Sequence, residues 1–308
     1  MKNRKKLLAL LLAAATAMTL LAGCGGAKKK DTVVILDGEF AEPEIVAQMA
    51  KMLIEDKTDL KAEIKDAMTP IYGFNEMNEG KIDLMLSYDG SLLVTFLKHD
   101  DAEVPAGMST YDYAQQVAAK ECKVHLLEKL GANNTYSIAV RRETAEKYNL
   151  KTVSDLVPVA GELVFGAEHK FFDEEGLIRY KPLCKFYGLT FKDAKSIDLN
   201  LKYSAIANGD IDVTEVYATD GQWLANDLVL LTDDKAFFPE YNLALLVRND
   251  LFDEVKDTAP DLESVLNELA GRFTESEMAQ LSYEVDVNKR EPAEVAREWL
   301  VAQGLLQA

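Results

Sequence analysis

Apolar positions along the chain alternate between two spacings. Thr32-Val33-Val34-Ile35-Leu36 is a short β-branched run closed by Asp37-Gly38, the pattern of a buried strand and a turn. From Pro43 onward Ile45, Val46, Met49, Met52, Leu53 and Ile54 recur at helical spacing, with proline near the first turn. Leu60 to Ile64 and Ile82 to Leu86 predict further strands, and a helix closes over Asn75 to Glu79 between them. The alternation continues with strands at 134–140, 163–166, 227–231 and 243–247 and with helices opening at Thr144 and Thr152. From Asp250 the pattern is amphipathic and helical, through Leu262, Val265, Leu266, Leu269, Met278, Leu281, Val295, Trp299 and Leu300. Strands alternating with helices predict an α/β fold with mostly parallel pairing. No linker divides the chain, so the expected arrangement is an inserted lobe. The chain crosses between lobes twice, and the C-terminal helices return to the first.

An internal echo says more about function. Residues 79–90 read Glu-Gly-Lys-Ile-Asp-Leu-Met-Leu-Ser-Tyr-Asp-Gly, and residues 208–221 read Asn-Gly-Asp-Ile-Asp-Val-Thr-Glu-Val-Tyr-Ala-Thr-Asp-Gly. In each a tyrosine follows the first glycine by eight residues, Gly80 to Tyr88 and Gly209 to Tyr217. Gly-x-Ile-Asp-aliphatic is a common junction between helix and strand, and one copy carries little weight. Two copies with one offset predict two lobes, each placing a tyrosine past the carboxyl end of a strand, the edge where open α/β sheets bind ligands.

The charge is unevenly spread. The 308 residues hold 52 acidic and 34 basic side chains, a net −18, which argues against a nucleic-acid partner. Lys2, Arg4, Lys5 and Lys6 precede the apolar run Leu7 to Leu21, the pattern of a secretory signal. It ends in Leu21-Ala22-Gly23-Cys24, which resembles the lipobox of bacterial lipoproteins. That resemblance implies a signal peptide over 1–23, a lipid on Cys24 and a tether over 24–31. Removing the signal takes away four positive charges and no negative ones, so the mature chain carries −22 and depends on the lipid to stay at a membrane. A disulfide between Cys122 and Cys184 is open to an exported protein, with two free buried thiols the commoner outcome for so sparse a pair, and His99, His125 and His169 have no metal-ligand spacing. No nucleophile-elbow sequence is present, so the case for an enzyme is weak.

The chain resembles the substrate-binding proteins of ABC importers for glycine betaine, choline and carnitine. The resemblance runs from Val33 to about Leu300. It is carried by Ile82-Asp83 through Tyr88-Asp89-Gly90-Ser91, by Asn134-Thr135-Tyr136 through Val140, and by Glu146-Lys147-Tyr148. It continues in Ala207-Asn208-Gly209-Asp210-Ile211-Asp212-Val213, Tyr217-Ala218-Thr219-Asp220-Gly221 and Asp233-Asp234-Lys235 through Phe238-Pro239-Glu240-Tyr241. It implies a type II periplasmic-binding-protein-like clamshell, each lobe a sheet flanked by helices, with lobe I over 32–131 plus 239–308 and lobe II over 132–238. It implies a cage of tyrosines around a trimethylammonium group, at positions matched here by Tyr88, Tyr136, Tyr217 and Tyr241, and no cofactor. It also implies a permease and an ATPase as partners and an extracytoplasmic, lipid-anchored location. The chemistry suits such a cage, because a quaternary ammonium has no N–H to donate and aromatic faces attract it by about 0.5–2 kcal/mol each.

At the other end of the ligand the chain departs from the family's pattern. The hydroxyl three residues past the first cage tyrosine is kept as Ser91, but the family's lysine before the first helix falls at Gly38. The family's glutamate and arginine fall at Lys170 and Glu174, which looks like a charge swap. A ligand carboxylate about 4 Å from Glu174 would meet repulsion of about 4 kcal/mol at an effective dielectric near 20. The expected ligand is therefore a quaternary ammonium without a carboxylate, choline first. Betaine or carnitine is the alternative if Lys170 replaces the arginine. A surface sensor on the same fold and an exported hydrolase are the competing function classes.

Overall fold

The computed structural model describes residues 30–172 and 178–307; the signal, Cys24 and Glu174 lie outside them. The strands are β1 (Thr32–Leu36), β2 (Lys61–Lys65), β3 (Leu84–Tyr88), β4 (Val124–Asn133), β5 (Tyr136–Arg141), β6 (Val164–Glu168), β7 (Asp193–Ile197), β8 (Val213–Tyr217), β9 (Leu228–Leu231) and β10 (Asn242–Arg248). They form two five-stranded sheets, ordered β2-β1-β3-β10-β4 and β7-β6-β8-β5-β9. The chain passes from the first sheet to the second between Asn133 and Tyr136, and it is back in the first at Asn242.

The echoed segments hold the same place in both sheets. β3 and β8 are each third in order, parallel to one neighbour and antiparallel to the other. Their aspartates do the same job. Asp83 accepts the Val34 N–H at 2.8 Å and donates its own N–H to the Val34 carbonyl, while Asp212 does both with Val164. Arg248, at the end of β10, pairs with Asp83 at 2.9 Å, and Arg141, at the end of β5, pairs with Asp212 at 2.7 Å. The aspartate of the echo is thus a clamp between three strands.

The pairing corrects the expectation of a mostly parallel sheet. β10 runs antiparallel to β3 and β4, and β5 runs antiparallel to β8 and β9. The cause is the double crossing. Each chain segment arriving from the other lobe enters at the edge where the echoed strand ends, so it must run back along that strand.

Apolar burial fills both sides of each sheet. Ile45, Val46, Met49, Leu53 and Ile54 of the helix Ala41–Lys57 are fully buried against the first sheet and the C-terminal helices. Phe165, Phe171, Leu183 and Val213 anchor the core of the second. Cys122 and Cys184 are free thiols in different lobes.

Candidate functional site

The antiparallel crossings bring four tyrosines together. Tyr88 ends β3 and Tyr217 ends β8. Tyr136 opens β5 directly opposite Tyr217, and Tyr241 immediately precedes β10, whose Leu243 lies opposite Tyr88. Where an echoed strand stops, the returning strand starts, and each junction therefore carries a pair of rings.

Tyr136 and Tyr217 stack with centroids 4.8 Å apart and hydroxyls 3.2 Å apart. Tyr88 and Tyr241 lie 6.4 Å apart, tilted by 53°. The two pairs share one environment: Tyr217 raises the pKa of Tyr88, Tyr241 that of Tyr217, and Tyr136 that of Tyr241. Burial is the largest cause in every case. It pushes Tyr241 up to about 12, and all four are neutral phenols at physiological pH.

Backbone devices hold Tyr241 in place. The Asn133 side-chain oxygen accepts its N–H at 2.7 Å, and its carbonyl accepts the Asn134 N–H at 2.9 Å. Gly90 lets the ring approach, since a Cβ there would stand 2.9 Å from it. Asp89 ties the two turns together by accepting the N–H groups of Gly90 and Asn242 and the Asn242 amide. Burial raises its pKa to about 6, against those three donors.

Several residues here carried no signal in the sequence. Glu42, in the first turn of the helix Ala41–Lys57, reads as an ordinary helix-dipole acid, yet it is 1% exposed. One of its oxygens accepts the Tyr88 hydroxyl at 2.5 Å and the Asn134 amide at 3.1 Å. The other, Oε2, makes no hydrogen bond of ordinary geometry, although the Thr219 hydroxyl is near enough to pull the pKa down. Burial outweighs these partners and raises Glu42 to about 7. Behind the stacked pair, the Tyr136 hydroxyl reaches Glu168 at 3.4 Å, and Glu215 pairs with Lys202 at 3.1 Å, both fully buried. Arg179 lowers the pKa of Tyr241, and its Nε is buried with no partner among the described residues.

The remaining expected residues fall in different places. Ser91 lines an apolar recess of the first lobe together with Tyr88. Lys170 is exposed on the turn His169–Phe172, whose Phe171 instead packs against Tyr136 at 5.5 Å. Glu174 lies outside the described residues.

The family model for the substrate-binding domain of the ABC-type glycine betaine transport system matches residues 31–302. The carnitine transport binding protein OpuCC of Listeria monocytogenes is 35% identical over 277 residues, covering 88% of this chain and 86% of the relative. A glycine-betaine-binding protein of Pseudomonas aeruginosa is 31% identical over 236 residues, 74% of each chain. Among solved structures, a glycine betaine/carnitine/choline ABC transporter protein superposes with a TM-score of 0.80 at 31% identity, covering 89% of this chain and 99% of that one.

Proposed function

The chain belongs to the substrate-binding domains of ABC-type glycine betaine transport systems, and from that premise we propose that it captures a quaternary ammonium cation among Tyr88, Tyr136, Tyr217 and Tyr241. It is the binding subunit of an importer rather than an enzyme. The observation that carries the cage is the pairing of tyrosines at both strand junctions, one pair stacked at 4.8 Å and the other 6.4 Å apart. Four desolvated faces at about 0.5–2 kcal/mol each supply roughly 2–8 kcal/mol, and burial of the ligand's methyl groups adds to this against the cost of closing the lobes. Lipid anchoring at Cys24 would hold the subunit beside its permease and ATPase.

The acids around the rings favour a ligand with net positive charge. Glu42 and Glu168 each accept a hydrogen bond from a cage tyrosine, and no lysine stands at position 38. Choline is the first candidate. A second reading is supported by Arg179, whose Nε has no partner among the described residues and which lies near enough to Tyr241 to take the carboxylate of betaine or carnitine. Calorimetry with choline, glycine betaine, carnitine and proline betaine separates them. Choline binding tightest supports the first reading, and betaine binding that collapses in Arg179→Ala supports the second. Silence from all four ligands overturns the cage.

A pH dependence follows from Glu42. Its pKa of about 7 is raised from 4.5, so below pH 7 the carboxyl is mostly protonated, and a bound cation nearby favours the ionised form. Binding should release a proton near neutrality, and affinity should rise by roughly threefold to tenfold between pH 6 and pH 8 before levelling off. Calorimetry at pH 7 in two buffers of different ionisation enthalpy reads the proton directly. Glu42→Gln should flatten the profile, and an unchanged profile would assign it to another group. For folding the sign is opposite: the unfolded chain ionises this group first, so its contribution to stability falls between pH 4.5 and about 7.

A further inference from the structure

We propose that the apolar recess beside Tyr88 holds the uncharged tail of a trimethylammonium ligand, an acyl or alkyl extension longer than that of choline. This rests on the cage reading and names the ligand class that the same site would prefer. The recess adjoins the cage through Tyr88 and carries the hydroxyl of Ser91 in its wall; Pro43, Met68, Pro70 and Phe96 supply its apolar surface. Its volume of about 80 Å³ is several times what a single water needs, room for a short acyl chain.

Three features set its preference. First, position 38 cannot carry a cation. A Cβ on Gly38 would stand 2.3 Å from Pro43 Cγ and 2.9 Å from the Glu44 nitrogen, a clash with a rigid ring and with backbone. Pro43 occupies the space where a side chain would start, so the turn itself keeps position 38 bare. Second, the charged residues in the wall among the described residues are Asp37 and Glu39, which repel a carboxylate. Third, the other described residues of the wall are apolar apart from Ser87, Ser91 and the Tyr88 hydroxyl, which is taken up by Glu42, so a neutral tail gains by leaving water while Ser91 donates to an ester carbonyl.

Calorimetry on the purified protein tests this with choline, acetylcholine, butyrylcholine and 4-(trimethylammonio)butanoate. Affinity should rise roughly fourfold for each added methylene that enters the recess. The butanoate, of similar length but ending in a carboxylate, should bind at least tenfold more weakly than acetylcholine. Choline binding with both esters tenfold weaker would overturn the recess and leave the cage standing, whereas silence from every trimethylammonium ligand would overturn both. Met68→Trp fills the recess, and it should lower the butyrylcholine-to-choline affinity ratio at least tenfold. An unmoved ratio would place the tail elsewhere.

Discussion

Tyr217→Ala is expected to weaken binding of a quaternary ammonium ligand by roughly one to three orders of magnitude, the range for truncating a buried aromatic anchor. Tyr217 is linked to each of the other three rings. It stacks on Tyr136 at 4.8 Å, shares a hydroxyl contact with it at 3.2 Å, and acts on the ionisation of Tyr88. Truncation removes one face from the cation and one support from Tyr136. Tyr217→Phe keeps the face and loses only the hydroxyl, so it should stay within roughly fivefold of the parent, since the attraction comes from the ring quadrupole. Calorimetry on both variants, with thermal unfolding as a check of the fold, separates a cage from a packing role. Equal loss in the two variants would mean that the hydroxyl, not the ring, does the binding.

Gly221→Ala should weaken binding by roughly five- to 150-fold, the equivalent of about 1–3 kcal/mol of overpacking, without touching the ligand. Gly221 follows β8 in the second lobe and meets the helix Glu275–Asp286, which packs on the first. Its φ of −63° suits any residue, so the requirement is space alone. An added Cβ would stand 2.4 Å from the Tyr283 nitrogen and 2.9 Å from the Ser282 carbonyl carbon. Two residues earlier, Thr219 acts on Glu42 across the same junction. If the lobes part when empty, the methyl costs nothing in the open form and obstructs only the closed one. Small-angle scattering should then show a smaller ligand-induced contraction than in the parent, with an unchanged melting temperature for the empty protein. Full affinity in Gly221→Ala would mean that binding does not need this contact.

The second glycine of each echo therefore has a function that its sequence context hid. Gly90 and Gly221 end matching phrases, but one makes room for a ring and the other for a helix backbone of the opposite lobe. The repeat itself was legible because it recurs at a fixed offset, and so were the strands with β-branched apolar runs, such as Thr32–Leu36. β7 was not, since Asp193–Ile197 is a largely exposed edge strand with no buried face to impose a pattern. Nor was β4, in which Val124–Asn133 mixes buried and exposed positions irregularly and its register with β10 shifts twice. Direction was misread because periodicity reports which face is buried, not which way a neighbour runs.

The same limit applies to the site. The tyrosines could be found from the echo and from family resemblance, but Glu42, Asn134, Thr219 and Arg179 are joined to them only in space. In sequence, Glu42 is one of two acids in the first turn of its helix, and Glu44 looks equivalent. Folding buries one fully against Tyr88 and leaves the other half-buried. Lys170 is exposed on its turn, and a position along a loop does not fix where its side chain points.

The central claim is that aromatic faces hold a positive charge, and the most direct test compares choline with 3,3-dimethylbutan-1-ol, its uncharged carbon isostere. The two have the same shape and the same hydroxyl, so apolar burial and hydrogen bonding cancel. Four faces predict that choline binds at least about 100-fold more tightly, about 2.7 kcal/mol. Affinities within threefold of one another would contradict the cage and leave an apolar pocket indifferent to charge.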